Sequence, residues 1–372
     1  MNHSEWLLSI KEDVGEFLEV LRVPSQPGRF LPCVKGATKE GTQLSLGFSC
    51  FALKIYYTLG LWDTLTAHER ESWIAFLKSF QIEETHGAEA LSSNAFIDRP
   101  LITSLIRQIP WYQRVIARVL RPPHLTYLQR VINAETKQAI ATLIQVGESL
   151  DRPYGGFPIT ENGIRNYLTQ LDWRQPWAAG AQLSALAVFL TSQAPRFLPA
   201  EETQQLLKIC SSFTDTLVDR GTGAYFKGSL PEHGVLINGA MKILNALEWL
   251  GMPIHCPERL IDTCLAQLPS PDSCHLVDVI YVIYRCVQQT TYRMAEVDAY
   301  CTQVLEKIVQ HRNLDGGFSY HIGRSQRYYY GVLISHGYAE SDIHGTCLLT
   351  WAIAMILNLR DEKTIRLRVI KP

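Results

Sequence analysis

The chain has no stretch of about 18 uncharged apolar residues, the length a membrane-crossing helix needs. It has no CxxC pair, no DDxxD, no P-loop and no GxGxxG. Each absence excludes a class. Without DDxxD, metal-dependent ionisation of a diphosphate is not expected. Without the glycine-rich loops, nothing cradles a nucleotide phosphate. No cofactor and no metal are expected. No basic excess exists either: Lys+Arg 35 against Asp+Glu 36 gives a net charge of -1, which argues against a nucleic-acid partner. The first 21 residues carry Glu5, Lys11, Glu12, Asp13 and Glu16 among apolar residues. They read as an amphipathic helix, not a signal peptide, so a cytoplasmic location is expected. The nine cysteines are scattered and in that setting read as reduced, buried thiols.

What is present is apolar. Hydrophobic residues make up 47% and charged ones only 19%, enough for a large core. The helical period dominates and no run of alternating strands appears. Twelve helices are expected near 3–21, 43–59, 66–80, 99–119, 135–149, 177–192, 200–218, 234–249, 257–267, 275–288, 294–311 and 343–358. No Pro- or Ser-rich linker divides them, so residues 1–372 are expected to form one domain. Some helices are amphipathic, as in AETKQAIATLIQVGESL and PAEETQQLLKICSSFTDTLVDR. Others are apolar almost all round, as in GFSCFALKIYYTLGLW, WAAGAQLSALAVFL, GVLINGAMKILNALEWLG, HLVDVIYVIYRC and HGTCLLTWAIAMIL. Helices apolar on every face are buried and amphipathic ones form a shell. Inner and outer helices in alternation make an all-α (α/α)6 barrel. A glycine-aromatic turn is expected between an outer and an inner helix three times: Tyr154-Gly155-Gly156-Phe157, Gly223-Ala224-Tyr225-Phe226 and Asp315-Gly316-Gly317-Phe318.

These turns resemble degenerate copies of the repeats of the squalene cyclase and prenyltransferase superfamily. The stretch from Ser341 to Ile353 (SDIHGTCLLTWAI) is similar to the DxDDTA…WA segment of class II terpene cyclases. The resemblance implies a single-barrel cyclase that protonates a prenylated, meroterpenoid substrate. It departs at one point: His344, followed by Gly345, stands where the family has its protonating aspartate. Asp278 and His344 also resemble zinc ligands of the protein prenyltransferases, but Ile280 stands where the thiolate belongs, and no zinc site is expected.

The acid is therefore sought elsewhere. Asp98, before an apolar helix and beside Phe96 and Ile97, is the preferred donor; a plain helix N-cap is its alternative. Asp342 has the same alternative, with His344 or His86 tuning the acid. Trp173, Trp177, Tyr225, Phe226, Phe157 and Trp351 are candidate carbocation-facing aromatics, with core packing as the alternative for each. Arg327 or Arg324 is a candidate for gripping an anionic head group. The segment Asp98–Arg121 carries Arg99, Arg107, Arg114, Arg118 and Arg121 around Trp111 and Tyr112 and suits contact with an anionic membrane surface. Two other readings share the barrel: a carbohydrate-active lyase, epimerase or hydrolase, and a non-catalytic isoprenoid-binding protein.

Overall fold

The computed structural model describes residues 3–82, 94–108, 126–362 and 365–372. In chain order the described helices are α1 (His3–Leu21), α2 (Leu46–Leu59), α3 (Ala67–Lys78), α4 (Arg99–Gln108), α5 (Tyr127–Gln145), α6 (Glu161–Gln170) and α7 (Pro176–Ser192). They continue with α8 (Ala200–Asp215), α9 (His233–Leu250), α10 (Pro257–Leu265), α11 (Ser273–Val287), α12 (Met294–Val309) and α13 (Ile343–Leu359). A short hairpin, β1 (Tyr328–Tyr329) and β2 (Val332–Leu333), precedes α13.

Six helices form the inner ring. Helix α2 packs on α5, α5 on α7, α7 on α9, α9 on α11 and α11 on α13, and α13 returns to α2. Outer helices α1, α3, α6, α8, α10 and α12 each precede an inner one, and α4 is inserted between α3 and α5. The fold is an (α/α)6 barrel, closed by contact between a helix from each end of the chain.

Local signals set the helix ends. Thr66 with Glu69 and Thr126 with Gln129 form capping boxes at α3 and α5, which pair backbone donors that a helix start leaves open. Asp272 and Asp342 cap α11 and α13. Gly60 and Gly251 end α2 and α9 in the left-handed conformation that glycine adopts without a Cβ clash.

All five helices read as apolar on every face are inner. The sixth inner helix is α5, whose charged stretch was expected outside. Its polar residues are used inward. Asn133 donates to Gln182 (3.1 Å), Thr136 accepts from the Phe96 amide (3.1 Å), and Glu135 is buried. Helix α6 was not among the expected spans, and the expected 99–119 helix is described only to Gln108. Trp111, Tyr112 and the arginines beyond them lie outside the described residues, as does His86.

The repeat also differs from expectation. The turns at 223–226 and 315–318 do lie between an outer and an inner helix. The copy ending in Phe157 follows inner helix α5 and belongs elsewhere. The structure adds two copies: after α1, α3, α8 and α12 an isolated antiparallel bridge closes the turn, at Arg22–Phe30, Gln81–Phe96, Val218–Tyr225 and Arg312–Phe318. Each bridge carries a fully buried aromatic. Burying such a ring contributes about 1.5–3 kcal/mol, so these turns fasten the outer layer to the ring.

The two ends of the ring are built differently. At the mouth, where inner helices begin, residues 22–45 and 310–342 form long connections. Glu340 joins them by accepting from the amides of Val34, Lys35 and Gly36. At the far end, residues 365–372 cross the helix C-termini. The Arg368 amide donates to Thr58 O, the Lys371 amide to Gln145 Oε1, and Pro372 O accepts from Asn245 and Trp249. No helix among the described residues is long and apolar enough to cross a membrane.

Candidate functional site in the barrel lumen

The lumen face of the ring carries charge where apolar packing would be expected. Lys54 on α2, Lys137 on α5 and Lys242 on α9 lie within electrostatic reach of one another. None makes an ion pair among the described residues. Burial lowers the affinity of Lys54 and Lys137 for their protons, and the neighbouring ammonium groups lower that of Lys137 further. The Lys242 ammonium sits 5.9 Å from the Trp177 ring centre, at the mouth end of α7.

Beside the lysines is His344, stacked on Phe51 at 4.3 Å with the planes 13° apart. Its Nδ1 lies 2.9 Å from Gln326 Oε1. An amide oxygen only accepts, so Nδ1 carries the hydrogen and Nε2 keeps its lone pair. Burial, then the charges of Lys242 and Lys54, hold His344 neutral, with its pKa down at about 3.

The hairpin brings phenols to the same region. Tyr330 (φ 47°) and Gly331 (φ 82°) form its two-residue turn, the left-handed pair that a tight hairpin requires. Tyr329 reaches across the mouth and donates to Glu135 Oε1 at 2.5 Å. It passes over Gly47, where a Cβ would stand 2.3 Å from the phenolic oxygen, so a residue with a side chain at 47 would displace it. Burial pushes Glu135 up to about 8, and its Oε2 is buried without a partner among the described residues. Burial, then Glu135, keeps the Tyr330 phenol protonated.

On the facing wall, buried Asp278 of α11 is pushed up to about 7 by burial, against the charge of Lys242 and His275. The Asn238 amide of α9 satisfies its neighbours only in the orientation that turns its nitrogen toward Asp278 Oδ2 (3.3 Å) and the Gly234 carbonyl (3.1 Å) and its oxygen toward His275 Nε2 (3.2 Å). The sequence reading left Glu135, Lys54, Lys137, Lys242 and Tyr329 unassigned. For Lys54 and Lys242 the signal available was a charged residue inside an otherwise apolar helix, which is costly unless used; Glu135 and Lys137 lie on a helix that read as amphipathic and Tyr329 in a connection, where no such signal stands out.

The sequence-derived candidates are not brought together. Asp98 Oδ2 accepts from the amides of Ser45 (2.7 Å) and Leu46 (2.9 Å) and so fastens the start of α2. Asp342 accepts from the amides of Gly345, Tyr320 and Gln326; burial still raises it to about 6. Both carboxyls order backbone. His344 and Trp177 do reach the lumen wall. Trp173 turns outward, its Nε1 on Leu168 O and its ring on Phe213 of α8. Phe157 packs among Tyr154, Tyr167 and Phe189. Tyr225 bonds His255 (3.1 Å), and Phe226 packs against the core beside it. Trp351 lies against Tyr281. Arg324 and Arg327 are exposed on the rim, with Arg327 over the Tyr328 ring. No group of three or more metal-ligating side chains occurs among the described residues.

Neither protein-family models nor curated protein sequences gave a match. Among solved structures, the chain overlays Polysaccharide Lyase BACCELL_00875 with TM-score 0.43 and 11% identity, covering 97% of this chain and 98% of that one. A likeness at that level assigns no residue a role. The terpene-cyclase expectation is nevertheless corrected. A polyene cyclase must shelter a carbocation, and lysines at the lumen work against that in either form, since an ammonium repels positive charge and a free amine captures it. With the cyclase goes the proton-donor role of Asp98 and Asp342 and the prenylated substrate.

Proposed function

We propose that the barrel is a carbohydrate-active enzyme of the lyase or epimerase type, taking an acidic saccharide into the lumen at its mouth. The observation that carries the reading is the trio Lys54, Lys137 and Lys242, without ion pairs among the described residues, two of which, Lys242 and Lys54, lie within electrostatic reach of a neutral histidine. A buried cation without a counter-ion is costly; a ligand carboxylate removes that cost. Lysine ammonium groups paired with a uronate carboxylate acidify the C–H bond beside it. His344 Nε2 faces this space with a free lone pair. Its low basicity in the free protein comes partly from the lysines, so a bound carboxylate raises it. In elimination the C5–H electron pair forms the C4=C5 double bond, the C4–O bond breaks, and the proton passes to His344. A hairpin phenol, Tyr330, returns a proton to the departing oxygen. In epimerisation the same carbanion is reprotonated from the other face.

The test is a panel of uronate-containing and neutral glycans. It is read by the ultraviolet absorbance of the unsaturated uronate product, by NMR for epimers, and by calorimetry for binding. Binding confined to acidic members, lost in Lys54→Met with the fold retained, supports the reading. Equal binding of neutral glycans, or no binding of any acidic member, overturns it.

A further inference from the structure

The chain of groups behind Asp278 has a property that its members do not have singly. Asp272 caps α11, and its Oδ2 lies 2.7 Å from His275 Nδ1. His275 Nε2 meets the Asn238 amide oxygen, and the Asn238 nitrogen meets Asp278 Oδ2. The orientation of Asn238 is fixed independently of either end, because its nitrogen also faces the Gly234 carbonyl, which can only accept. It follows that Asn238 presents its oxygen to His275 Nε2, while the Asp272 carboxylate faces Nδ1. With acceptors facing both ring nitrogens, this is the geometry an imidazolium would satisfy, with the Asp278 oxygen accepting at the other end.

One end of this chain is wet and the other is not. His275 and Asn238 line a rim cleft of about 190 Å³ with His233, Gln267, Ser270 and Tyr300, and the His275 side chain is 31% exposed. Asp278 is buried on the lumen wall.

We propose that Asp272, His275 and Asn238 form a proton relay that links the rim cleft to the Asp278 carboxyl, with the Asn238 amide as its switch. Two states carry the same number of protons. In one, His275 is an imidazolium, Asp278 is a carboxylate, and the amide nitrogen donates to Asp278. In the other, the amide has turned: its nitrogen donates to a bare His275 Nε2, and its oxygen accepts from the Asp278 O–H. The second state leaves the Gly234 carbonyl without that donor, which biases the pair toward the first. Turning the amide moves no proton by itself: the proton crosses when the Asn238 oxygen takes the His275 Nε2 proton while the Asn238 nitrogen gives one to Asp278 Oδ2, and the imidic acid so formed returns to the turned amide by exchanging protons with solvent in the cleft it lines; solvent also resupplies His275. The raised proton affinity of Asp278 agrees with a group that alternates between both forms. Other groups facing it are Lys242 from α9, Cys274 from α11, Asp272 at the cap and Tyr320 from the mouth connection. Lys242 favours the carboxylate, and Asp272 favours the acid. Asn238 and His275 are positioning residues here. The use of Asp278 as a proton donor or acceptor for a bound saccharide rests on the proposed function; the proton link does not.

The test needs no substrate, so its failure is separate from failure of the saccharide reading. Histidine C2–H resonances are titrated by NMR, and the Asp278 acid C=O band is followed by infrared spectroscopy, assigned by its loss in Asp278→Asn. In the native protein, Asp278→Asn is expected to move the His275 midpoint down by about one pH unit, as loss of a nearby carboxylate does. In Asn238→Leu that response is expected to fall by at least half. His275→Gln, at a partly exposed position, keeps a donor toward Asn238 but cannot titrate, and is expected to move the Asp278 band midpoint. A His275 curve insensitive to Asp278→Asn, an undiminished response in Asn238→Leu, or an unmoved band in His275→Gln would each overturn the relay.

Discussion

The two ends of the helix ring answer different demands. At the far end the polar groups are largely paired with one another, although Arg285 Nε is buried without a partner among the described residues. Asn245 and Trp249 donate to Pro372 O, Arg285 pairs with Glu248 at 2.9 Å, and Tyr281 donates to the same glutamate at 2.6 Å. Leu367, Ile370 and Pro372 are buried across the helix ends. In the lumen below the mouth the polar groups are less fully matched: three lysines make no ion pairs among the described residues, His344 keeps a free lone pair, and burial pushes the carboxyls of Glu135 and Asp278 toward neutral pH. A set of satisfied contacts holds a structure, and a set of unsatisfied ones costs stability until something binds. The difference separates the end that holds the barrel from the end that works.

The sharpest way to break that contrast is at the lysines. Lys54→Met is expected to weaken acidic-saccharide binding by at least ~10-fold, about 1.4 kcal/mol, while leaving the melting temperature unchanged or higher, measured by calorimetry and thermal scanning. Weaker binding with an equally large loss of stability would merge the two ends into one role. Removal of residues 365–372 is the converse: a loss of about 2–4 kcal/mol of stability in urea melts, from exposed apolar surface and orphaned donors, with the His344 titration unchanged. Asp98→Ala removes the acceptor for two amides at the start of α2 and is expected to cost about 1–2 kcal/mol.

A smaller effect separates the ends by pH. Glu135 binds a proton in the native state at pH values where the unfolded chain has released it. Native protons then exceed unfolded ones between about pH 4 and 8, so stability falls as pH rises through that window. Glu135→Gln should flatten the upper part of the slope in urea melts recorded at several pH values; an unchanged slope would show that the carboxyl is not held protonated.

The barrel was legible because burial on every face leaves a composition that needs no partner to interpret. The five helices from GFSCFALKIYYTLGLW to HGTCLLTWAIAMIL are all inner. Helix α5 was not legible, because a sequence shows that Glu135 and Asn133 are polar but not that Tyr329 and Gln182 wait for them. The turn repeat was half legible. Gly223 and Gly316 announced two copies, while Phe30 and Phe96 sit in turns that share the bridge and the buried ring but not the glycine pattern. For the site, the resemblance led to Asp342, and the departure from its motif sent the search to Asp98; both carboxyls accept from backbone amides. His344, noticed as a departure from the motif, is the one that reaches the lumen beside the lysines.

The hairpin tip has a consequence for engineering. Tyr330 holds φ 47°, a conformation that asparagine or glycine tolerates better than a tyrosine does. A library screened for heat resistance should therefore enrich Asn or Gly at this position. Each such winner would lose the phenol that stands beside Glu135 and Tyr329. Position 330 is where thermostability selection and functional selection would pull in opposite directions.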